Sequence, residues 1–341
     1  MTHASLEGTL KGWAESDSLR QGVASTIIAL ATTGIAIADL IAAGALAGEM
    51  AKVRGFHEDG DSQKELDSIA DRLIADALRK APVAVLGSEE ADEAVVLDPA
   101  KPLAVAVDPL DGSSNIDTNV TVGTIFSILP NTGPDPLLQP GSCQLAAGFL
   151  VYGPQVALVL TVGAGTQIYV LDRTTGTFLL TNPRLVIPAE CSEYAINASN
   201  ARHWSPAIRN YVSDCLAGSE GPRGKDFNMR WIASMVADAF RIFARGGVYL
   251  YPGDARKGYT HGRLRLVYEA NPLAFLVEQA FGKATDGVQP ILDIVPSALH
   301  QRVPLVFGSS SEVERIARYK LEPENISDRS PLFGRRGLLR A

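Results

Sequence analysis

Val-Ala-Val-Asp-Pro-Leu-Asp-Gly-Ser-Ser-Asn, residues 105–115, decides how the rest of the chain is read. With Leu103 and Ala104 ahead of it, the first half is a continuous apolar run, which predicts a strand buried on both faces. Asp108 and Asp111 fall at the end of that strand. Pro109 lacks a backbone donor and is expected to stop the ladder, while Gly112 allows a tight turn whose N–H groups converge on an anion. Carboxylates beside a phosphate cradle would repel the ligand unless divalent cations stood between them. Taken alone, most such stretches are surface turns rich in Asp, Gly and Ser.

The 341 residues are enough for two domains, and the sequence divides most naturally at the Pro-containing stretch 183–191, into residues 1–185 and 186–341. A net charge of -7 argues against a nucleic-acid partner, which would require a basic face. Cys143, Cys191 and Cys215 form no Cys-x-x-Cys pair, so a reducing compartment is expected, with the three thiols as small buried hydrophobes. Residues 1–10 lack the basic and apolar regions of a secretory signal. Residues 21–38 carry no charge, yet Ser25, Thr26, Thr32 and Thr33 dilute them, and Ile27, Ile28, Ala31, Ile35, Ala38 and Ala42 recur at helical spacing. That predicts a packing helix, no membrane span, and a cytoplasmic protein.

Further along, Ser62 and Glu65 have the form of a capping box opening a helix with the stripe Leu66, Ile69, Ala70, Leu73, Ile74 and Ala77. Asp67 and Asp71 fall on its polar face, and Asp61 just before it reads as a turn residue. Residues 83–86 predict a strand ending at Gly87-Ser88-Glu89-Glu90, where the two glutamates share a site only if the backbone turns. Strands are expected over 120–129 and 147–152. Three more, over 156–162, 167–171 and 177–180, are meander-like and predict an antiparallel sheet. In the second half, strands are expected at 194–197 and 248–251. Helices are expected at 206–216 and along the stripe Ile232, Met235, Val236, Ala239, Phe240 and Phe243. Residues 263–269 alternate, which as a strand sets Arg263, Arg265, Val267 and Glu269 on one face. Asn271 and Pro272 are expected to cap and open the following helix.

Jointly, these acidic segments match one family. Asp-Pro-Leu-Asp-Gly-Ser-Ser-Asn-Ile-Asp (108–117), Gly-Ser-Glu-Glu (87–90) and Arg-Leu-Arg-Leu-Val-Tyr-Glu (263–269) resemble class I fructose-1,6-bisphosphatases. The likeness extends to residues 60–67, 234–238, 246–252 and 300–302, and covers roughly residues 20–320 in the same order. It implies an α/β fold, a layered αβαβα sandwich of the sugar phosphatase type with mixed sheets, assembled as a homotetramer. It implies metal ligands at Glu89, Glu90, Asp108, Asp111 and Glu269 with the Leu110 carbonyl. An all-oxygen set suits two or more Mg²⁺ ions per subunit, or Mn²⁺.

The implied reaction is hydrolysis of the 1-phosphate of fructose 1,6-bisphosphate, in gluconeogenesis or the Calvin cycle. Glu90 and Asp67 form the base system, and Asp61 completes the site from a loop. Gly112, Ser113, Ser114 and Asn115 hold the reacting phosphate. Asn197, Asn200, Arg230, Tyr251, Arg263 and Arg265 bind the rest of the sugar bisphosphate, with Arg230 reaching a neighbouring subunit. Arg263 replaces the usual lysine, and Trp231 and Asn200 replace common tyrosines, which leaves sedoheptulose 1,7-bisphosphate open as an alternative substrate. Another phosphatase of the inositol monophosphatase superfamily is the remaining enzymatic reading. The AMP site of the animal enzymes has no clear counterpart near residues 16–26, at Pro102-Leu103 or at Ser142, so weak or absent AMP inhibition is expected.

Overall fold

The computed structural model describes residues 3–47, 52–56 and 62–322. Its larger sheet has eight strands, which run from edge to edge as Thr177–Asn182, Thr166–Asp172, Val156–Thr161, Ala146–Tyr152, Val122–Pro130, Leu103–Asp111, Val83–Ser88 and Val95–Val96. The predicted meander is therefore present. One neighbouring pair differs: Val83–Ser88 and Leu103–Asp111 are parallel, with Ser88 opposite Val107. Parallel pairing sends both strands out of the sheet at the same end, and the Glu89 N–H still donates to the Val107 carbonyl at 3.1 Å. The glutamate pair and the aspartate pair leave the sheet together for that reason.

The smaller sheet has the order Asn228–Met229, Glu193–Ile196, Val248–Tyr251, Leu305–Gly308 and Lys283–Thr285. Helices α1 (Leu6–Ala14), α2 (Ser18–Ala43) and α3 (Glu65–Leu78) cover the outer face of the larger sheet. Helix α4 (Pro206–Leu216) lies on the outer face of the smaller sheet. Helices α5 (Met235–Arg245) and α6 (Asn271–Gln279) fill the space between the sheets, and α7 (Ser310–Leu321) joins α4 outside. The result is the expected α/β/α/β/α layering. Helix α2 is long and apolar enough to cross a membrane, but its Ile27, Leu30, Ala31, Ile37 and Ala38 are buried in the core beneath the large sheet.

Several local expectations are corrected. Ser62 begins a short strand, Ser62–Lys64, and the helix starts at Glu65 with Lys64 at its N-cap. The cap is supplied from inside the helix: Asp67 accepts the Lys64 N–H at 2.7 Å. Pro109 does not stop its strand, which continues to Asp111 across a register shift, the Pro109 carbonyl accepting the Thr124 hydroxyl at 2.8 Å. Ile232 precedes α5 and is exposed, because the chain turns at Ala233 before the helix begins.

Residues 263–269 are not one strand. Leu264–Arg265 pairs with Arg302–Val303, and then Leu266–Ala270 winds as a π turn directly into α6. All five residues of that turn are buried, so their alternation marks no solvent face. Asn271 is consequently helical rather than a cap, and Pro272 lacks the N–H that an ordinary turn would direct back to Tyr268. Of the cysteines, only Cys215 is buried; Cys191 is half-buried and Cys143, on a short 3-10 turn, is exposed.

Candidate active site

One cleft of about 380 Å³ opens at the strand ends. Asp67, Glu89, Glu90, Asp108, Leu110, Asp111 and Glu269 line one part of it, and Gly112, Ser113 and Ser114 close the turn beside them. Asn197, Trp231, Tyr251 and Arg263 line the other part. Gly112 has a φ of 78°, the left-handed conformation the turn requires, and a Cβ there would meet Ser234 at 3.3 Å. Asn115 does not face the cleft. Its Nδ2 donates to the Ala233 carbonyl at 2.8 Å, tying the turn to a residue itself held at a φ of 64°.

Backbone contacts fix the carboxylates. Asp111 accepts the Val236 N–H at 2.9 Å and thereby caps α5 from the opposite sheet. Asp108 accepts the Leu110 N–H at 3.0 Å, and Glu269 accepts the Arg265 N–H. Oxygens of Asp108, Asp111 and Glu269 all lie within 4.8 Å of one another, and each residue is at least nine-tenths buried. At an effective dielectric of 20, each such pair of charges repels by about 3 kcal/mol, and three pairs by about 10 kcal/mol, comparable to the stability of a whole domain. The metal-free site must therefore hold protons. Burial, then neighbouring carboxylates, push Asp108 and Glu269 well above the ordinary carboxylate range. Burial raises Asp111 to about 6, against the lowering effect of the α5 amides. Glu89 is raised by burial and opposed by its hydrogen bond to Asp108 and by the Arg265 guanidinium.

Asp67 is the buried member of the expected polar face of α3. Burial raises it to about 7, the Lys64 N–H pulls it down, and the charge of Glu90 pushes it up again. One of its oxygens, Oδ1, is buried without a hydrogen-bond partner while the residue lines the cleft. Asp71, one turn on, accepts the Ser88 hydroxyl at 2.6 Å, which fastens α3 to the strand carrying Glu89 and Glu90. An orphaned acceptor, a surplus of buried negative charge and a donor set made only of oxygen together fit hard divalent cations.

Beyond this centre the walls become aromatic and cationic. Trp231 stacks on Tyr249, with ring centroids 5.6 Å apart, and Tyr251 lies alongside. Asn200 stands in an adjoining recess with Asp254, Arg256 and Tyr259, where Arg256 donates to the Asn200 Oδ1 at 3.2 Å. Arg265 is turned toward the carboxylates: its charge acts on Glu89 and Glu269, and its Nη1 donates to the Arg263 carbonyl at 2.8 Å. Arg230 does not line this cleft; its side chain is half exposed beside Glu193. Asp61 lies outside the described residues. Arg256, Tyr259 and Ala233 were not anticipated. A polar loop in the sequence carries no mark of which residues fold back toward the cleft, although the charge of Arg256 was a usable hint.

The fold and this acidic cleft define a sugar phosphatase. Family models described as the N-terminal and C-terminal domains of fructose-1-6-bisphosphatase match residues 16–183 and 187–321. The chain is 60% identical over 327 residues to "Fructose-1,6-bisphosphatase class 1" of Azorhizobium caulinodans, covering 94% of this chain and all of the relative. It is 56% identical to the protein of that name from Sinorhizobium medicae, over the full length of both. The crystal structure of Leishmania major fructose-1,6-bisphosphatase in holo form superposes with a TM-score of 0.87 at 32% identity, covering 94% of this chain and 99% of that one. This chain belongs to the class 1 fructose-1,6-bisphosphatase family.

Proposed function

We propose that this protein hydrolyses the 1-phosphate of fructose 1,6-bisphosphate to fructose 6-phosphate and inorganic phosphate. The observation that carries the reading is the gathering of Asp67, Glu89, Glu90, Asp108, Asp111 and Glu269 in one cleft with Arg263 and Asn197 at its far wall, in a chain 60% identical to a fructose-1,6-bisphosphatase. The family is metal-dependent, and Asp108, Asp111, Glu269, Glu89, Glu90 and the Leu110 carbonyl are the residues that would hold the ions. When bound, Mg²⁺ or Mn²⁺, at two or more ions per subunit, supplies the positive charge that lets a phosphate approach these acids.

The chain's own groups account for the remainder. Asp67 and Glu90, whose charges oppose one another, form a unit that accepts the proton of the attacking water near neutral pH. The water oxygen bonds to phosphorus as the bond to the sugar C1 oxygen breaks, and that oxygen takes a proton from solvent, balancing the one passed to Asp67 and Glu90. Gly112, Ser113 and Ser114 hold the phosphoryl oxygens at the turn. Asn197, Tyr251 and Arg263 take the distal phosphate, and the Arg265 guanidinium favours the charged form of Glu89 against its burial. Asp61 would add a further catalytic carboxylate. We place the enzyme in the cytoplasm as a homotetramer in which Arg230 serves the adjacent subunit's cleft, consistent with its outward position here, working in gluconeogenesis or the Calvin cycle.

The test is phosphate release across Mg²⁺ concentrations from fructose 1,6-bisphosphate, sedoheptulose 1,7-bisphosphate and inositol 1-phosphate. The expected result is metal-dependent turnover with the highest kcat/KM on the fructose ester. A higher kcat/KM on either other ester would overturn the substrate assignment.

A further inference from the structure

We infer that His300 is a positioning residue for the metal centre: it clasps together the two chain segments that bear Glu269 and the Glu89–Glu90 pair. Its Nε2 lies 3.0 Å from the Ala91 carbonyl and its Nδ1 lies 2.8 Å from the Tyr268 hydroxyl. A carbonyl only accepts, so Nε2 carries a proton and donates to Ala91, while Nδ1 shares a hydrogen bond with the Tyr268 hydroxyl. Ala91 follows Glu90 directly and Tyr268 precedes Glu269. One imidazole thus bridges segments that are nearly 180 residues apart in sequence, each one residue from a carboxylate of the site.

The surrounding backbone shows why this residue can act as a clasp. Arg302–Val303 pairs with Leu264–Arg265, and the Leu266 N–H donates to the Gln301 carbonyl at 2.7 Å, so residues 301–303 are fixed against the start of the π turn. On the other side, Leu299 packs over Gly87, where an added Cβ would sit 2.7 Å from the Leu299 Cδ1. Residues 299–303 therefore lie as a strap across both strand ends, with His300 making the polar contacts. The π turn is closed by the Asn271 N–H donating to the Leu266 carbonyl, and the Glu89 turn is held on its strand side by Val107. The His300 bridge supplies a fastening from one turn to the other. A metal site needs its oxygens fixed to within a few tenths of an ångström, and groups behind the ligands typically govern affinity by about 10- to 100-fold.

The inference rests on reading the carboxylates as a metal site, and the experiment separates the two. Mn²⁺ is titrated by calorimetry into the metal-free full-length protein and into His300→Ala, His300→Gln, Tyr268→Phe and the double variant His300→Ala/Tyr268→Phe. Thermal midpoints are recorded without metal. Expected is a fall of about tenfold in Mn²⁺ affinity for His300→Ala and a smaller one for Tyr268→Phe, with the double variant no worse than His300→Ala. His300→Gln, whose amide can reach Ala91 in place of Nε2, should recover part of the loss. Unchanged affinity in the single variants, or losses that add fully, would overturn the clasp while leaving the metal site standing. A drop in thermal midpoint with affinity intact would mean that His300 only stabilises the fold, and would also overturn it. No Mn²⁺ binding by the parent would sink the metal-site reading itself and the clasp with it.

Discussion

The two ends of the cleft are built by different means. At the acidic end, side chains leave parallel strand ends, a helix start and a π turn, and backbone N–H groups hold the carboxylates of Asp67, Asp108, Asp111 and Glu269. At the far end the charges come from a loop, residues 252–263, folded around Tyr259, whose carbonyl accepts the N–H groups of Asp254 and Gly262 at 3.0 Å each. The guanidinium carbons of Arg256 and Arg263 lie 4.4 and 4.9 Å from the Tyr259 ring centroid. Arg256 is also paired with Asp254, and Arg263 lines the cleft itself. The reacting end, which must fix multivalent charge, is rigid by covalent proximity to regular structure; the recognition end depends on stacking that a loop can revise without disturbing the chemistry.

The sharpest way to break this contrast is at the base. Asp67→Asn or Glu90→Gln should lower kcat by about 10²- to 10⁴-fold with the fold retained, as read by steady-state kinetics beside circular dichroism. Near-normal turnover at saturating Mg²⁺ would remove both residues from the mechanism. Next in size, Asp111→Ala should raise the Mg²⁺ concentration for half-maximal activity by at least about tenfold. It should also cost about 1 kcal/mol of stability, because α5 loses its acceptor. A metal titration superimposable on the parent's would show that Asp111 is only a cap.

Proton linkage gives a third comparison. Asp67, Asp111, Asp108 and Glu269 all have folded-state pKa values above those of the unfolded chain, so the folded metal-free protein binds protons more tightly. That stabilisation is complete below about pH 4; the share from Asp111 and Asp67 is lost as pH rises through about 6 and about 7, while Asp108 and Glu269 stay well above the ordinary carboxylate range. Thermal midpoints of the chelated protein should accordingly fall from pH 5 to pH 8, with Mg²⁺ restoring stability at pH 8; a midpoint rising over that interval would contradict the assigned burial. The smallest effect belongs to the far end. Tyr259→Leu should raise KM for the bisphosphate about two- to fivefold and leave kcat unchanged, while Tyr259→Phe behaves as the parent. Equal losses in kcat would show that the loop is coupled to the chemistry after all.

Legibility in the sequence followed the same division. Strands such as Val248–Tyr251 and helices such as Pro206–Leu216 stand where apolar pattern and Pro placed them, since burial on one layer imposes a period. Asp67 was misplaced in local terms because a helical wheel distinguishes polar from apolar faces, and the polar face of α3 turns into a buried cleft instead of solvent. Residues 263–269 misled for the converse reason: their later part, Leu266–Ala270, is buried all round and has no face for alternation to report, and Pro272 widens the turn. His300 gave no spacing signal at all, because its partners lie 32 and 209 positions away.

The bond from Asp111 to α5 also bears on how such a protein can change over generations. It crosses 125 positions, from the last residue of a strand in the first sheet to the first turn of a helix packed between both. A recombination event falling between residues 183 and 187 would part five of the acids from Glu269 and leave a helix without its acceptor. The two segments share one cleft, so a change that parts them parts its acids.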